Sequence, residues 1–249
     1  MVKNNQTNDK VQNIEKTIHF IDGNRGNIGK SFFSSLMCHL YVSNQQGFTL
    51  FDTDRHKKDV SLMYGGITDV HFDGCNEIMA NYTNEATKVD RIYEEALKQD
   101  VIVNMPSDSH KELFFWLQQN GLDNPQFLQE EKIKIIIWYL SNGDRTSLEL
   151  LKQSIPKASA FTTILVRNFG IDHEWNVEKA DFVEFLNSIP KLDLNVMPRG
   201  EREATFKLGK AYNTYSGNKL SLNRLTKYLQ TQCSEIVSLF PLTTTSQAA

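Results

Sequence analysis

The chain has 249 residues, of which 40% are apolar, and its 27 lysines and arginines stand against 30 aspartates and glutamates. This composition is typical of a folded globular domain and excludes fibrous and disordered chains. The net charge of -3 argues against a protein that binds nucleic acid over its whole surface, but it permits a local basic patch.

The termini and the cysteines carry little chemistry. Residues 1–16 are polar and predict a flexible arm, residues 17–240 predict a single domain, and residues 241–249 predict a flexible tail. No run reaches the roughly 18 apolar residues that cross a bilayer, and the start is too polar for a secretory signal, so we expect a cytoplasmic protein. The three cysteines at positions 38, 75 and 233 are too far apart in sequence for a CxxC metal or redox site.

Short apolar runs alternate with longer helical patterns along the chain. This alternation predicts an α/β fold with a predominantly parallel, twisted sheet flanked by helices. The predicted strands are 17–21, 48–51, 101–103, 133–139, 161–166 and 194–196. The predicted helices are an amphipathic first helix through residues 32–41, followed by 91–98, 111–119, 147–153, 177–187 and 220–239.

A glycine-rich segment, GNRGNIGKS at residues 23–31, lies between the first predicted strand and the first predicted helix. A phosphate-binding loop needs small residues whose N–H groups face phosphate oxygens, then a lysine for the β- and γ-phosphates and a hydroxyl for Mg²⁺. Lys30 and Ser31 supply the last two, although Asn24 stands where the usual pattern has glycine. The predicted nucleotide-binding residues are Asn24, Arg25, Gly26, Asn27, Ile28, Gly29, Lys30, Ser31 and Phe32.

The loop resembles the deviant Walker A loop, KGGxGK[ST], of the ParA/MinD family of P-loop ATPases, with Arg25 at the position of the early lysine. The resemblance extends over residues 17–239, with specific motifs in the N-terminal half. It implies ATP and Mg²⁺ as cofactors and a homodimer that sandwiches two nucleotides. Arg25 would then reach the partner's phosphates, with Lys152 as a second candidate.

The second predicted strand ends in FDTDR, which places two carboxylates on the same side of the chain at the ligand edge of the sheet. This looks like the DxD motif of the same family. The resemblance implies that Asp52 holds Mg²⁺ together with Ser31. It also implies that Asp54 activates the attacking water, so that Asp54, Lys30 and Arg25 form the catalytic set.

The third predicted strand departs from the family, because Asn104 stands where relatives have an aspartate. An amide can hydrogen-bond a metal-bound water but lacks the charge that holds Mg²⁺ tightly. Two alternatives remain open, a slow ATPase and a chain without hydrolysis.

Three residues in the C-terminal half resemble the family's base-binding positions. Asn168 follows the fifth predicted strand and resembles the base-reading asparagine, although Asn-x-Gly also forms an ordinary turn. Met197 and Pro198 fall where relatives close over the base.

A basic stretch near the C-terminus provides a candidate DNA surface. Only Glu201 and Glu203 oppose its seven positive charges, and the alternative is a solvated helix face. DNA binding would place the protein at the nucleoid. The seven residues are Arg199, Arg202, Lys207, Lys210, Lys219, Arg224 and Lys227.

The resemblance implies a ParA-like, ATP-dependent dimerising switch that positions or segregates a plasmid, DNA or a large cellular body, together with an adaptor or cargo protein. The subgroup that it looks like is encoded beside plasmid mobilisation or stability genes. The alternatives are a nucleotide-binding adaptor with little or no hydrolysis and a small-molecule ligase of the dethiobiotin-synthetase type. The apolar positions of the last helix predict core packing rather than a membrane anchor, because Lys227 is the only basic residue from Leu225 onward.

Overall fold

A computed structural model describes residues 15–53, 58–67, 69–71, 89–155, 160–172, 175 and 180–242 of the chain. Within these residues, seven parallel strands form one sheet in the order β3-β2-β4-β1-β5-β6-β7. The strands are β1 (Lys16–Asp22), β2 (Phe48–Asp52), β3 (Asp69–His71), β4 (Asp100–Asn104), β5 (Ile133–Ser141), β6 (Thr162–Asn168) and β7 (Lys191–Leu194).

Helices connect and cover the strands, as parallel pairing requires. They are α1 (Lys30–Ser43), α2 (Asp59–Tyr64), α3 (Arg91–Ala96), α4 (His110–Gln119), α5 (Pro125–Glu131), α6 (Arg145–Ser154), α7 (Ala180–Ser188), α8 (Arg199–Ala204) and α9 (Lys219–Leu239). Two short 3₁₀ helices, Phe206–Leu208 and Tyr212–Thr214, lie between α8 and α9. None of the described helices is long and apolar enough to cross a membrane.

The sheet is buried on both faces, which explains the continuous apolar runs of its strands. Along β1, Ile21 packs on the face that α1 and α9 cover, whereas Ile18 and Phe20 pack on the opposite face with α3, α4 and α5. The apolar stripe of α9 belongs to the first of these cores, where Leu225 and Ile236 are buried. The prediction that this helix packs on the core is confirmed.

The predicted parallel α/β fold is confirmed, with differences at its edges. The last predicted strand was placed too late, since β7 ends at Leu194, and β1 begins at Lys16, one residue before the predicted domain start. The sequence interpretation missed β3 and three short helices, α2, α5 and α8. These elements have 3 to 7 residues each, which is too short to display a periodic apolar pattern.

The register of the central strands sets the position of the site. Asn104, the last residue of β4, pairs with Asp52 of β2 on one side and with Ile21 of β1 on the other. The polar residues that end these three strands therefore meet at one edge of the sheet, next to the loop that joins β1 to α1.

Candidate functional site

The loop between β1 and α1 encloses the Lys30 ammonium group. Lys30 is only 7% exposed. Its Nζ donates to the carbonyl oxygens of Gly23, at 3.2 Å, and Arg25, at 2.9 Å. The loop therefore holds a buried positive charge at the N-terminus of α1, where an anion is also favoured by the helix dipole.

Gly29 is required at the end of the loop for two reasons. Its φ of 103° lies in the left-handed region, and a Cβ at this position would lie 2.4 Å from Nδ2 of Asn168. That amide nitrogen donates to the carbonyl oxygen of Ile28 at 2.7 Å, while Oδ1 of Asn168 accepts from the N–H of Gly170 at 2.9 Å. Asn168, at the end of β6, thus fixes the loop from the side of the neighbouring strand.

A buried polar chain anchors the start of the loop. The carboxylate of Asp22 accepts from the N–H of Gly23 at 2.7 Å and contacts Nδ1 of His110, whose Nε2 lies 2.9 Å from the Ser154 hydroxyl. Burial alone would raise the pKa of Asp22, but attraction to His110 and its hydrogen bond, with smaller contributions from Gly23 and Lys30, hold that pKa below its usual value. The first loop residue is therefore tied to α4 and α6.

The carboxylate of Asp52 lies beside the loop and is 2% exposed. Its Oδ1 accepts from Nδ2 of Asn104 at 2.8 Å, and its Oδ2 accepts from the N–H and the hydroxyl of Ser61 at 2.9 and 2.7 Å. The same Asn104 nitrogen donates to the hydroxyl oxygen of Ser31 at 3.3 Å. One amide group therefore joins the end of β2 to the first turn of α1.

This donor set fits Mg²⁺. A magnesium ion in a nucleotide site is bound by one or two protein oxygens, with water and phosphate oxygens completing the octahedron. The Ser31 hydroxyl and the Asp52 carboxylate both approach Nδ2 of Asn104, so they lie close to each other. Among the described residues, no group of three or more histidines, cysteines, aspartates or glutamates forms a metal cage.

Arg25 forms an ion pair within its own chain. Its Nη2 lies 3.1 Å from Oδ1 of Asp144, and the arginine side chain is 53% exposed. Asp144 also caps α6 by accepting from the N–H of Ser147. The second candidate for the same role, Lys152, lies further along α6, where its ammonium group sits 5.8 Å from the centre of the Phe182 ring.

The loop borders a cavity of about 300 Å³, and one wall of this cavity comes from the C-terminal part of the chain. Arg202 of α8, with Phe206 and Lys207 of the following 3₁₀ helix, supplies that wall. The sequence interpretation had placed Arg202 and Lys207 in a DNA surface. The full lining is Asn27, Ile28, Gly29, Lys30, Ser31, Phe32, Asp59, Ser107, Arg202, Phe206 and Lys207.

The remaining predicted residues have varied surroundings. Met197 is buried in the core under α9, and Pro198 precedes the first residue of α8. Arg224 pairs with the buried carboxylate of Glu201 at 2.6 Å, whereas Arg199 pairs with Glu203 on the surface. Asp54 and Cys75 lie outside the described residues.

Solved structures with low sequence identity share this architecture. MinD, the cell division ATPase of Pyrococcus furiosus, superposes with a TM-score of 0.54 at 13% identity, over 91% of this chain and 100% of that one. The Mg-ADP complex of MinD from Pyrococcus horikoshii gives 0.51 at 11% identity over 87% and 95% of the two chains. A ParA family ATPase from Chlorobium tepidum gives 0.51 at 10% identity over 88% and 98%. The chain has the MinD/ParA fold.

No protein-family model matches the sequence, and no curated protein matches it either. The MinD/ParA resemblance stated from the loop and the DxD pair is therefore supported by the fold, independently of overall sequence similarity. The structure brings together Lys30, Ser31, Asp52, Asn104 and Asn168 at one edge of the sheet. Sequence reasoning missed Ser61 and Phe206, which carry no motif and reach the site through tertiary contacts alone.

Proposed function

We propose that the protein is a nucleotide-dependent switch that binds ATP and Mg²⁺ at the loop of residues 23–31. The observation that carries the proposal is the buried Lys30 ammonium, held next to the linked Ser31, Asn104 and Asp52 side chains at the carboxyl edge of a parallel sheet. This is where nucleotides bind in open α/β sheets. An ADP-bound nucleotide-binding protein from Archaeoglobus fulgidus, with a TM-score of 0.51 and 11% identity, and the Mg-ADP complex of MinD have the same fold.

In this proposal, Lys30 exchanges its two loop carbonyl partners for phosphate oxygens. Bound Mg²⁺ would neutralise charge on the phosphates. Ser31 and Asp52 would hold the ion directly or through its waters, Ser61 would orient the Asp52 carboxylate, and Asp54 would position the attacking water. Asn168 would keep the loop in its phosphate-binding shape through Ile28, and reading of the base stays a prediction for its amide group.

The switch itself is a homodimer that closes over two nucleotides, with Arg25 acting on the partner's phosphates. Arg25 is available for this role because its side chain stays 53% exposed while it pairs with Asp144, and surface ion pairs contribute only about 0–1 kcal/mol. The closed dimer would then bind DNA without sequence preference and recruit an adaptor or cargo protein. For DNA, the exposed cations of the basic stretch that do not line the cavity are Arg199, Lys210, Lys219, Arg224 and Lys227.

Nucleotide binding is tested by titrating the full chain with a fluorescent ATP analogue in Mg²⁺. Lys30→Ala should weaken binding by roughly 10- to 100-fold, because hydrogen bonds to charged groups contribute about 1.5–3 kcal/mol. Lys98→Ala is the matched control, since Lys98 is exposed, pairs with Glu95 and precedes β4 at the opposite edge of the sheet. Equal affinity in Lys30→Ala and Lys98→Ala would exclude this loop as the phosphate site.

Dimerisation and DNA binding are tested by sedimentation and by a salt series. We expect a monomer without nucleotide and a dimer with a slowly hydrolysed ATP analogue, with Arg25→Ala reducing the dimer fraction. DNA binding should require ATP and weaken steeply as salt rises. A chain that stays monomeric with ATP, with the analogue and in Asp54→Ala would rule out the sandwich.

Asn104 favours a second candidate function, a nucleotide-binding adaptor in which ATP stabilises a protein-binding surface without being turned over. Its amide nitrogen donates to both Ser31 and Asp52, so one carboxylate remains at the metal position among the described residues. Phosphate release measured with and without DNA and partner protein separates the two functions. Turnover that DNA or the partner stimulates supports the switch, whereas binding without turnover supports the adaptor.

A further inference from the structure

The cavity beside the loop is cationic beyond what the loop itself provides. Lys30, Arg202 and Lys207 line it, and Asp59 is the only carboxylate among its described lining residues. A fully ionised triphosphate carries more negative charge than one lysine and one Mg²⁺ together balance. The excess of positive charge therefore matches the ligand of the proposed function, on which this inference rests.

The segment that carries Arg202 and Lys207 is held at the cavity by packing. The ring of Phe206 meets that of Phe32, in the first turn of α1, edge to face at a centroid distance of 5.4 Å. Gly209, at a φ of 62°, lies so close to α2 that a Cβ there would be 2.9 Å from Cβ of Leu62. Both contacts involve elements that adjoin the loop, so they fix where the two cations lie.

The start of the segment is fixed as well. Glu201 is 2% exposed and pairs with Arg224 of α9 at 2.6 Å, and its carbonyl oxygen accepts from the N–H of Thr205 at 3.0 Å and its hydroxyl at 2.7 Å. One of the seven basic residues thus has a structural role in placing α8. Arg202 follows Glu201 in this anchored helix, and its position in the helix places it at the cavity.

The ion pairs that these two cations form are few and weak, so a phosphate can replace them. Lys207 lies 3.4 Å from Glu203, a carboxylate that it shares with Arg199, and the Lys207 side chain is 54% exposed. Among the described residues, Arg202 has no carboxylate within ion-pair distance. Exposed ion pairs of this kind contribute little stability, so a phosphate oxygen can replace them.

We infer that Arg202 and Lys207 bind the phosphate chain of the nucleotide from within the same subunit, opposite Lys30. The two side chains approach from the C-terminal segment, so nucleotide binding ties α8 and the following 3₁₀ helix to the loop. The cations that face phosphates inside one subunit are then Lys30, Arg202 and Lys207, whereas Arg25 would leave Asp144 and act on the partner's phosphates in the proposed dimer.

The test compares Arg202→Ala and Lys207→Ala with Lys210→Ala, a cation of the same stretch that does not line the cavity. Each full-length variant is titrated with ATP, with ADP and with inorganic tripolyphosphate, and circular dichroism checks folding. We expect each of the two variants to lose about tenfold in ATP and tripolyphosphate affinity, with a smaller loss for ADP. Lys210→Ala should match the wild type in ATP and tripolyphosphate affinity, because the role proposed for Lys210 is in DNA binding and these titrations contain no DNA. Arg202→Lys should recover part of the affinity, which a packing role would not explain.

Affinities equal to that of Lys210→Ala would overturn the inference, and so would a loss confined to DNA binding. Failure of the proposed function gives a different result, since the wild-type chain would then bind no ATP. If that chain still binds tripolyphosphate through Arg202 and Lys207, the phosphate site stands without the nucleotide switch. If it binds neither ligand, both proposals fall.

Discussion

The role of the Asn104 amide can be tested by replacing it with aspartate, the residue that the ParA/MinD family has at this position. Asn104 is fully buried, and its Nδ2 donates to Oδ1 of Asp52 at 2.8 Å. Its Oδ1 accepts from the hydroxyl of Ser34 at 3.1 Å. Asn104→Asp keeps the size and the bond from Ser34, but it replaces the donor that faces Asp52 with an acceptor carrying the same charge.

The cost of this change follows from the geometry. Two carboxylates whose centres lie about 4 Å apart repel by about 4 kcal/mol at an effective dielectric constant of 20. Protonation of one of the two carboxylates sets a limit to this loss. Keeping an aspartate with an ordinary pKa of about 3.9 in its neutral form at pH 7 also costs about 4 kcal/mol. A protonated carboxyl can donate to its neighbour again. We therefore expect Asn104→Asp to lower the free energy of unfolding by about 4 kcal/mol at pH 7 without metal.

Magnesium should reverse much of this loss. A cation bound between the paired carboxylates and Ser31 at 100 times its dissociation constant stabilises the fold by about 2.7 kcal/mol. Acid should also reduce the loss, because a pair whose folded pKa is raised gains its proton as the pH falls from 7 toward 4.

Urea unfolding in chelator and in excess Mg²⁺, at two pH values, measures these effects. Asn187→Asp is the matched control, since Asn187 is exposed and accepts from Lys191, so the same chemical change should alter stability by less than about 0.5 kcal/mol. A loss that is the same with and without Mg²⁺, or no loss at all, would refute the argument that Asn104 lies between the candidate metal ligands Ser31 and Asp52. Phosphate release in Asn104→Asp shows whether the added carboxylate also increases turnover.

Three further predictions concern the loop and the core. Gly29→Ala should destabilise the fold by at least about 1 kcal/mol more than Gly121→Ala, measured by urea unfolding, because both positions have positive φ but only Gly29 has an atom in the way. Burial, with a smaller contribution from a nearby lysine, lowers the pKa of His19 to about 3. The unfolded chain therefore takes up a proton on this histidine first below about pH 6.5, and His19 alone should lower stability by about 2 kcal/mol by pH 5. Asp144→Ser retains a capping residue for α6 but releases Arg25, so it should change stability by less than about 1 kcal/mol while strengthening ATP-dependent dimerisation in sedimentation.

Each of these predictions has its own check. For the loop, equal losses at the two glycines would mean that the contact with Asn168 is irrelevant. For the core, His19→Gln should remove about 2 kcal/mol of the loss between pH 6.5 and 5, and the loss that remains belongs to His39, whose pKa burial lowers to about 4. For the ion pair, Asp144→Ser and Arg25→Ala should shift dimerisation in opposite directions, and a shift in the same direction would contradict a role for Arg25 across the dimer.

Local patterns determined a large part of the fold. The apolar runs and the helix spacing predicted the parallel sheet and the places of its central strands, because strands buried on both faces have few alternatives. The glycines, Lys30 and Ser31 predicted the loop, since a turn between a strand and a helix that presents consecutive N–H groups imposes those residue types on the sequence. The DxD pattern likewise predicted that Asp52 would lie at the ligand edge.

Tertiary structure decided which partners these residues have. The register of β2 and β4 places Asp52 against Asn104, and α2 adds Ser61, a residue without any local signal. The sequence interpretation treated the basic stretch as one charged surface, whereas packing divides it. Arg224 pairs with the buried carboxylate of Glu201, while Arg202 and Lys207 line the cavity beside the loop of residues 23–31. A charge pattern along a chain fixes how many cations a segment carries, but only the packing of that segment fixes which anions they meet.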